Sequence, residues 1–430
     1  MSRINTQIHS YWSRQLSELK KEGWVAARRK TVTVILKLLK SPFDLVGFTL
    51  AVPVVLFVRL IKPIKLIRFG YFFTNRIGHF CFDVEYYLTE KKLGLQPKKA
   101  TDLFYLYGKP ANDYFTKLTK KNLKINSFVK YLYKWNDWFP SGEAHQLLPA
   151  MRRFGSRDIR GLFQKTGPQL KFAKLETRQG RNFIKEIGLK DADKFICLNV
   201  RDSAYLKTPN DIFNYHNYRD SDIDTYKEAA LSLADKGYWV FRMGKTVHKA
   251  FNVDHPRIFD YANSEFRSDF LDIWLMANCC FTITTSTGLD NVAVIFRRPI
   301  LCVNHLPVGD CRTGSNDLTE YFKIMKWRKD GKYLSLKEQI DTGAIRFFKK
   351  NDYDRLGIKI IDNTSTSIKN AVLDFERKLI SKDNENECSV LQKKFWDIMK
   401  EYKDFSKYHG KYRPKISSVF IEEHHEWFLA

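Results

Sequence analysis

At 430 residues the chain is long enough for two or three domains. Its 44% hydrophobic and 15% aromatic content excludes a disordered tail, and a net charge of +25 leaves three partner classes: nucleic acid, an anionic membrane surface or phosphorylated substrates. Seven cysteines, odd in number and without C-x-x-C spacing, exclude a disulfide framework and a structural zinc site and fit a reducing compartment.

The first thirty residues are polar and basic, unlike a cleavable signal peptide. Residues 1–70 carry thirteen Lys or Arg against three acids. Thr31 to Lys40 reads as a basic amphipathic helix, and Leu45 to Val58 then runs without a charge. As a helix that run reaches about 21 Å, short of the roughly 30 Å hydrocarbon core of a bilayer. Residues 1–65 are therefore expected to associate with an anionic membrane surface through a re-entrant or interfacial helical segment, with a buried core helix, or a single transmembrane helix tilted through Leu60-Ile61, as the alternatives.

Leu66 to Phe73 reads as a strand, Thr74 to His79 as a loop, and Phe80 to Leu88 as a helix. Gly78 ahead of that helix allows close backbone approach to a ligand. His79 and Asp83, four apart on one face, are candidates for a base or an acceptor-binding pair. Leu103 to Tyr107 is a second strand. Lys117 to Lys134 interleaves Lys with aromatics, as single-strand nucleic-acid binders do, but is read as a solvated face. Met151 to Gly167 is basic and leads into the connection between halves.

Glu176 to Ile187 is a helix, and Lys194 to Val200 a nearly continuous apolar strand, as in a sheet covered on both faces. Arg201 stands at that strand's carboxyl end, where its planar fork suits a phosphate, or where Asp202 fixes it instead. After the polar loop Asn214 to Asp220, Ser221 is expected to cap the next helix. Tyr238 to Met243 is a strand, and the Gly244-Lys245 that follows it looks like phosphate chemistry. The spacing of Gly244-Lys245 is not that of a P-loop. Arg257 to Tyr261 is a short strand. Asp272 to Cys280, Phe281 to Thr284, Thr285-Ser-Thr-Gly288, Asn291 to Phe296 and Ile300 to Val303 read as helix, strand, small-residue loop, helix and strand. That alternation implies a parallel α/β sheet, which binds ligands beyond its strands' carboxyl ends. Ser286, Thr287 and Gly288 offer hydroxyls, backbone N–H groups and a positive helix end to a diphosphate. The alternative is a tight turn with an N-cap. H-E-x-x-H, G-x-S-x-G, G-x-G-x-x-G and EF-hand patterns are absent. With no helix-turn-helix, OB or RRM signature, no nucleic acid is expected.

Several of these pieces resemble a group of bacterial glycosyltransferases of surface-polysaccharide synthesis with the GT-B fold. They are Asn75-Arg-Ile-Gly-His79, Leu198-Asn-Val-Arg-Asp-Ser-Ala-Tyr205, Tyr218-Arg-Asp-Ser-Asp-Ile223, Lys236-Gly-Tyr-Trp-Val-Phe-Arg-Met-Gly244, Thr285-Ser-Thr-Gly288, and the tail from Lys415 to Phe428. The resemblance implies an α/β protein of two Rossmann-like doubly wound domains. An acceptor domain would span 66–170 and a nucleotide-sugar domain 171–383, with helices of 384–430 packing back on the first. It implies transfer from a nucleotide-sugar, with no cofactor and no metal, to a glycan or lipid-linked acceptor of capsule or lipopolysaccharide type at the cytoplasmic face of the inner membrane. Arg201, Ser286, Thr287 and Gly288, with Arg242 and Lys245, would hold the donor diphosphate. Arg76, Gly78 and His79 would face the acceptor, and His79 or Asp83 would act as base. A nucleotide-sugar 2-epimerase and a non-catalytic membrane-associated assembly protein are the competing readings.

Overall fold

The computed structural model describes residues 42, 44–202, 204, 214–314, 317–381 and 389–430. The amphipathic helix expected over 31–40 lies outside them. The first described element is a helix over residues 44–60, α1. Its buried stripe, Gly47, Ala51, Val55 and Val58, recurs at three- and four-residue spacing and packs on the first domain. No helix among the described residues is long and apolar enough to cross a membrane.

The first domain is built on three parallel strands, β1 (Ile67–Phe73), β2 (Thr101–Tyr107) and β3 (Gln146–Leu147), in the order β2-β1-β3. Between and after them come α2 (Ile77–Lys92), α3 (Asp113–Asn122), α4 (Val129–Trp138) and α5 (Ala150–Phe154). This is smaller than the doubly wound domain expected. Tyr71 and Tyr105 of the sheet face the cluster formed with α1 and α4, while Phe72 and Phe104 face α2. The Lys117–Lys134 stretch presents the expected solvated face, carried on two helices with Leu118 and Leu132 buried and the lysines outward.

After α6 (Lys174–Glu186), a seven-stranded parallel sheet forms the second domain. Its elements are β4 (Lys194–Asn199), α7 (Lys227–Asp235), β5 (Tyr238–Arg242), β6 (Ile258–Phe259), α8 (Asp269–Asn278), β7 (Thr282–Thr284), α9 (Asp290–Ile295), β8 (Ile300–His305) and β9 (Leu318–Phe322). An antiparallel pair, β10 (Ile324–Trp327) and β11 (Ile358–Ile361), follows, with α10 (Leu336–Asp341) and α11 (Lys350–Arg355) between its strands. The chain ends in α12 (Ser365–Ser381), α13 (Ser389–Met399), α14 (Phe405–Tyr408), β12 (Lys415–Ile416) and α15 (Ser418–Phe428). The spatial order β6-β5-β4-β7-β8-β9-β12 is the doubly wound Rossmann order extended by one strand. Successive connections reverse direction between β4 and β7, which opens a crevice there.

The tail meets the expectation that residues 384–430 pack on the first domain only in part: Tyr408 lies against Arg157 and Tyr412 against Gly161, and the rest joins the second domain. β12 extends the larger sheet beside β9, and α15 packs on α12. Phe395, Phe420 and Phe428 join the second domain's core, because that sheet's far edge needs a cover that the smaller domain does not supply.

The two domains share a continuous apolar core in which α2 meets α9 and α3 meets α8. Gly78 and Gly288 make the first contact possible. A β-carbon on Gly78 would lie 3.1 Å from the Gly288 backbone and 2.8 Å from Asn291 Nδ2. On the far side Arg297 stacks 4.2 Å over the Phe163 ring and donates to the carbonyls of Phe163 and Thr166 and to the Glu85 carboxylate. Glu85 also accepts from the Gln169 and Leu170 N–H groups, clasping the interdomain connection to α2.

Candidate functional site

A cavity of about 650 Å³ lies between the domains. Its second-domain wall is the crevice at the order reversal. There the Arg201 N–H donates to Thr285 Oγ1 at 2.7 Å and Asn199 Nδ2 donates to Thr287 Oγ1, which locks the loop after β7 onto the loop after β4. Ser286 takes a positive φ of 60° to make this turn.

Arg201 Nε donates to Asp220 at 3.1 Å. The partner expected from sequence, Asp202, instead accepts from the N–H groups of Ala204 and His248. Burial first, and then the charge of Arg219, pull the Arg201 guanidinium below its ordinary range, with Asp220 opposing. Arg219 lines the cavity, its Nε is buried without a hydrogen-bond partner, and no ion pair engages it among the described residues. Two guanidinium groups therefore face one space, Arg201 paired with Asp220 and Arg219 acting at a distance on Asp310, a setting that favours an anion.

The positive helix end expected at the Ser-Thr-Gly loop is already spent. α9 has six residues, and the buried Asp290 sits in its first turn, paired with Arg312 at 2.6 Å and with Thr284 Oγ1 at 3.1 Å. The open helix end belongs to α2. It has sixteen residues, no side-chain cap and no acid in its first turn, and it begins at the cavity wall formed by Arg76, Ile77, Gly78 and His79.

His79 and Asp83 meet through a residue that sequence reading left unassigned. His79 Nδ1 lies 2.9 Å from Ser156 Oγ, and Ser156 Oγ donates to Asp83 Oδ1 at 3.1 Å. Ser156 follows Gly155 in the left-handed region (φ 55° and 63°), a turn that carries the chain from α5 into the cavity wall. Burial, and next the Arg76 charge, lower the His79 pKa to about 4. Asp83 does not line the cavity. Burial raises its pKa to about 7, opposed by the hydrogen bonds from Ser156 and the Met151 N–H.

The Asp83 shift has a consequence for stability. Between the ordinary carboxyl value and 7, the folded protein keeps a proton that the unfolded chain has lost. The stability this adds is present below pH 4 and is lost as pH rises through 7, on the order of 4 kcal/mol in all. Asp83→Asn keeps the acceptor oxygen and removes the titration. Its melting temperature should exceed wild type at pH 8 and approach it at pH 5; the same difference at both would disprove the raised pKa.

The sequence contains Asp-x-Asp triplets at 191–193, 220–222, 222–224 and 352–354. None of these aspartates lines the cavity; Asp222 and Asp224 bind Lys249, and Asp354 binds Arg328 and Lys350. One group among the described residues has metal-ligand chemistry: the buried Cys302, His305 and Glu320. His305 Nδ1 lies 2.5 Å from Glu320 Oε2, whose other oxygen accepts from the Arg312 N–H. That spacing is a hydrogen bond, while His305 Nε2 is buried without a partner.

No protein-family model and no curated protein matches the sequence. Among solved structures the chain is similar to the glycosyltransferase family 9 protein from Veillonella parvula DSM 2008. The identity is 11% and the TM-score 0.42, covering 74% of this chain and 98% of that one. It is similar to E. coli ADP-heptose LPS heptosyltransferase II at 12% identity and TM-score 0.32, over 55% and 84% of the two chains. With MnaA of S. aureus, in its UDP co-structure, the values are 11% and 0.28, over 85% and 96%.

The structure thus gathers Arg76, Gly78, His79, Arg201, Lys245, Ser286, Thr287 and Gly288 around one cavity. Lys245 is engaged at the domain seam, donating to the Ala111 carbonyl at 2.9 Å with Asp269 3.4 Å away. Gly78 and Gly288 serve the contact between helices as well as the cavity wall. Arg242 is excluded: it lies within β5, is 1% exposed, and is held by Asp260 and the Lys249 carbonyl. Ser221 does not cap the following helical turn. Asp222 does, while Ser221 accepts from Asn304 in the core. Sequence reading missed Ser156, Arg219 and Arg157, the last paired with Asp310 on the cavity wall. Against burial, Arg157 and then Arg346 hold the Asp310 carboxyl below its ordinary range.

Proposed function

We propose that this chain is a GT-B-type glycosyltransferase. It moves a sugar from a nucleotide-sugar to a surface-glycan acceptor of capsule or lipopolysaccharide type, carried on lipid at the cytoplasmic face of the inner membrane, without a metal ion. One observation carries the reading: a single cavity joins an arginine pair at the doubly wound crevice to an imidazole on the opposite domain. Arg201, Arg219 and the Ser286–Gly288 loop bind the donor diphosphate and stabilise the charge that develops on it as the glycosidic bond breaks. His79 accepts the proton of the attacking acceptor hydroxyl. The open end of α2 adds positive potential between the two.

The test is thermal stability of the protein against a panel of nucleoside diphosphates and sugar nucleotides in EDTA. A rise in melting temperature with one nucleoside diphosphate, retained in EDTA, is expected. A rise that requires a divalent cation would overturn metal independence. No rise with any nucleotide would overturn the transferase and favour a non-catalytic assembly protein. Conversion of the matching sugar nucleotide to its 2-epimer, with no acceptor present, would assign the chain to the epimerases.

A further inference from the structure

Helix α1 is apolar on both sides, yet only one side is packed. Ala51, Val55 and Val58 are buried against the first domain. On the other side Leu45, Leu50, Leu56, Phe57, Leu60 and Ile64, the last just past the helix, are between 52% and 89% exposed. Trp138, 63% exposed, widens the patch and stacks on Phe48 with ring centroids 5.9 Å apart. A contiguous apolar ridge of this kind on a folded domain marks an interaction surface.

The charges around it identify the partner. Residues 45–58 hold no charged side chain. Asp44, at the start, is engaged by Tyr131 and by Lys130. Lys62 and Lys65 are exposed just beyond the helix, and Lys134 lies 5.2 Å over the Phe48 ring. The 43 residues that precede the helix carry nine Lys or Arg against two acids. An apolar ridge bounded by cations matches the headgroup–acyl boundary of an anionic bilayer, which takes apolar side chains a few ångströms deep and lysines at its phosphates. A second copy matches it poorly, because such a contact would join two chains each of net charge +25.

We propose that the exposed face of α1, with Ile64 and Trp138, docks in the plane of an anionic lipid bilayer. In-plane seating follows from length: seventeen residues span about 25 Å, and the opposite stripe is committed to the domain. The surface stands apart from the reading of the cavity as a transferase and goes beyond it. It also orients the molecule. α1 covers the sheet face of Tyr71 and Tyr105, and β1 runs from there to Asn75 and Arg76 at the cavity. Docking therefore brings the first-domain wall of the cavity towards the lipid.

The experiment is co-sedimentation of the full chain with phosphatidylcholine vesicles, with and without phosphatidylglycerol. Binding to the phosphatidylglycerol vesicles, weakening as salt is raised, is expected. Phe57→Glu combined with Leu60→Glu should lower the partition coefficient at least about tenfold without changing the melting temperature, since both side chains are exposed. Lys62→Glu with Lys65→Glu should lower binding to phosphatidylglycerol vesicles only. Failure of the wild type to bind either vesicle, or binding unaltered by the paired glutamates, would overturn the proposal. So would light scattering that finds a dimer split by the same glutamates, which would give the face to a second copy. Nucleotide binding, measured on the same variants, should be unchanged and keeps failure here separate from failure of the transferase reading.

Discussion

Arg219→Ala is expected to weaken nucleoside-diphosphate binding about 10- to 100-fold and to leave the melting temperature of the free protein unchanged or higher. The two halves of this result have one cause. Arg219 makes no ion pair among the described residues, keeps a buried Nε without a hydrogen bond, and presses on the neighbouring Arg201. Removing it costs the free protein a ring contact with Tyr218 and a distant attraction to Asp310, and relieves a repulsion between like charges. A bound diphosphate would place negative oxygens where that repulsion stands, and each hydrogen bond between charged groups contributes about 1.5–3 kcal/mol. Arg201→Ala should behave differently. It loses comparable affinity but also lowers the melting temperature, because Asp220 is then left half-buried without its partner. Calorimetric titration with the nucleoside diphosphate that stabilises the wild type, beside melts without ligand, separates the two. Equal affinity in Arg219→Ala and wild type would remove Arg219 from the phosphate site.

Why Arg201 was legible and Arg219 was not follows from what each depends on. β4, β5, β7 and β8 are short apolar runs ended by polar or small residues, so a parallel sheet and the residues just past its strands could be read locally. Arg201 and Ser286–Gly288 were found that way. Arg242 was assigned through the resemblance and not by this rule; it pairs opposite Leu198 inside β5, where the strand read over 238–243 already put it. Arg219 sits in a polar aromatic loop whose place at the cavity depends on the bonds of the adjacent Asp220 to Arg201 and Lys323, contacts far apart in sequence. Ser156 becomes relevant only when α5 is set beside α2. The helices of the Lys-rich stretch were hidden because solvated lysines dominate its composition, although Leu118 and Leu132 hold the buried side. The tail's two-residue β12 leaves no periodic signal, so its attachment to the second domain could not be anticipated.

His79→Ala is expected to lower turnover about 10²- to 10⁴-fold while leaving nucleoside-diphosphate affinity intact. The geometry fixes which nitrogen acts. Ser156 Oγ has one proton and donates it to Asp83 Oδ1, so it accepts from His79, and the imidazole proton lies on Nδ1. Nε2 keeps its lone pair, and no described residue engages it. With its pKa lowered to about 4, the ring is neutral and ready to accept a proton throughout the physiological range. The imidazolium formed as the acceptor hydroxyl attacks is buried and needs a counter-charge, which Asp83 supplies through Ser156 only once it has ionised. Turnover should therefore rise across pH 7, the value to which burial brings Asp83. Asp83→Asn should flatten that rise, and Ser156→Gly should do the same, since glycine tolerates the positive φ but breaks the link. Release of nucleoside diphosphate from saturating donor, in the presence of lipid-linked acceptor, measures all three variants. A His79→Ala enzyme with wild-type turnover would take the imidazole out of proton transfer. A pH profile that Asp83→Asn leaves unchanged would reduce the His79–Ser156–Asp83 chain to a device for holding α5 against α2.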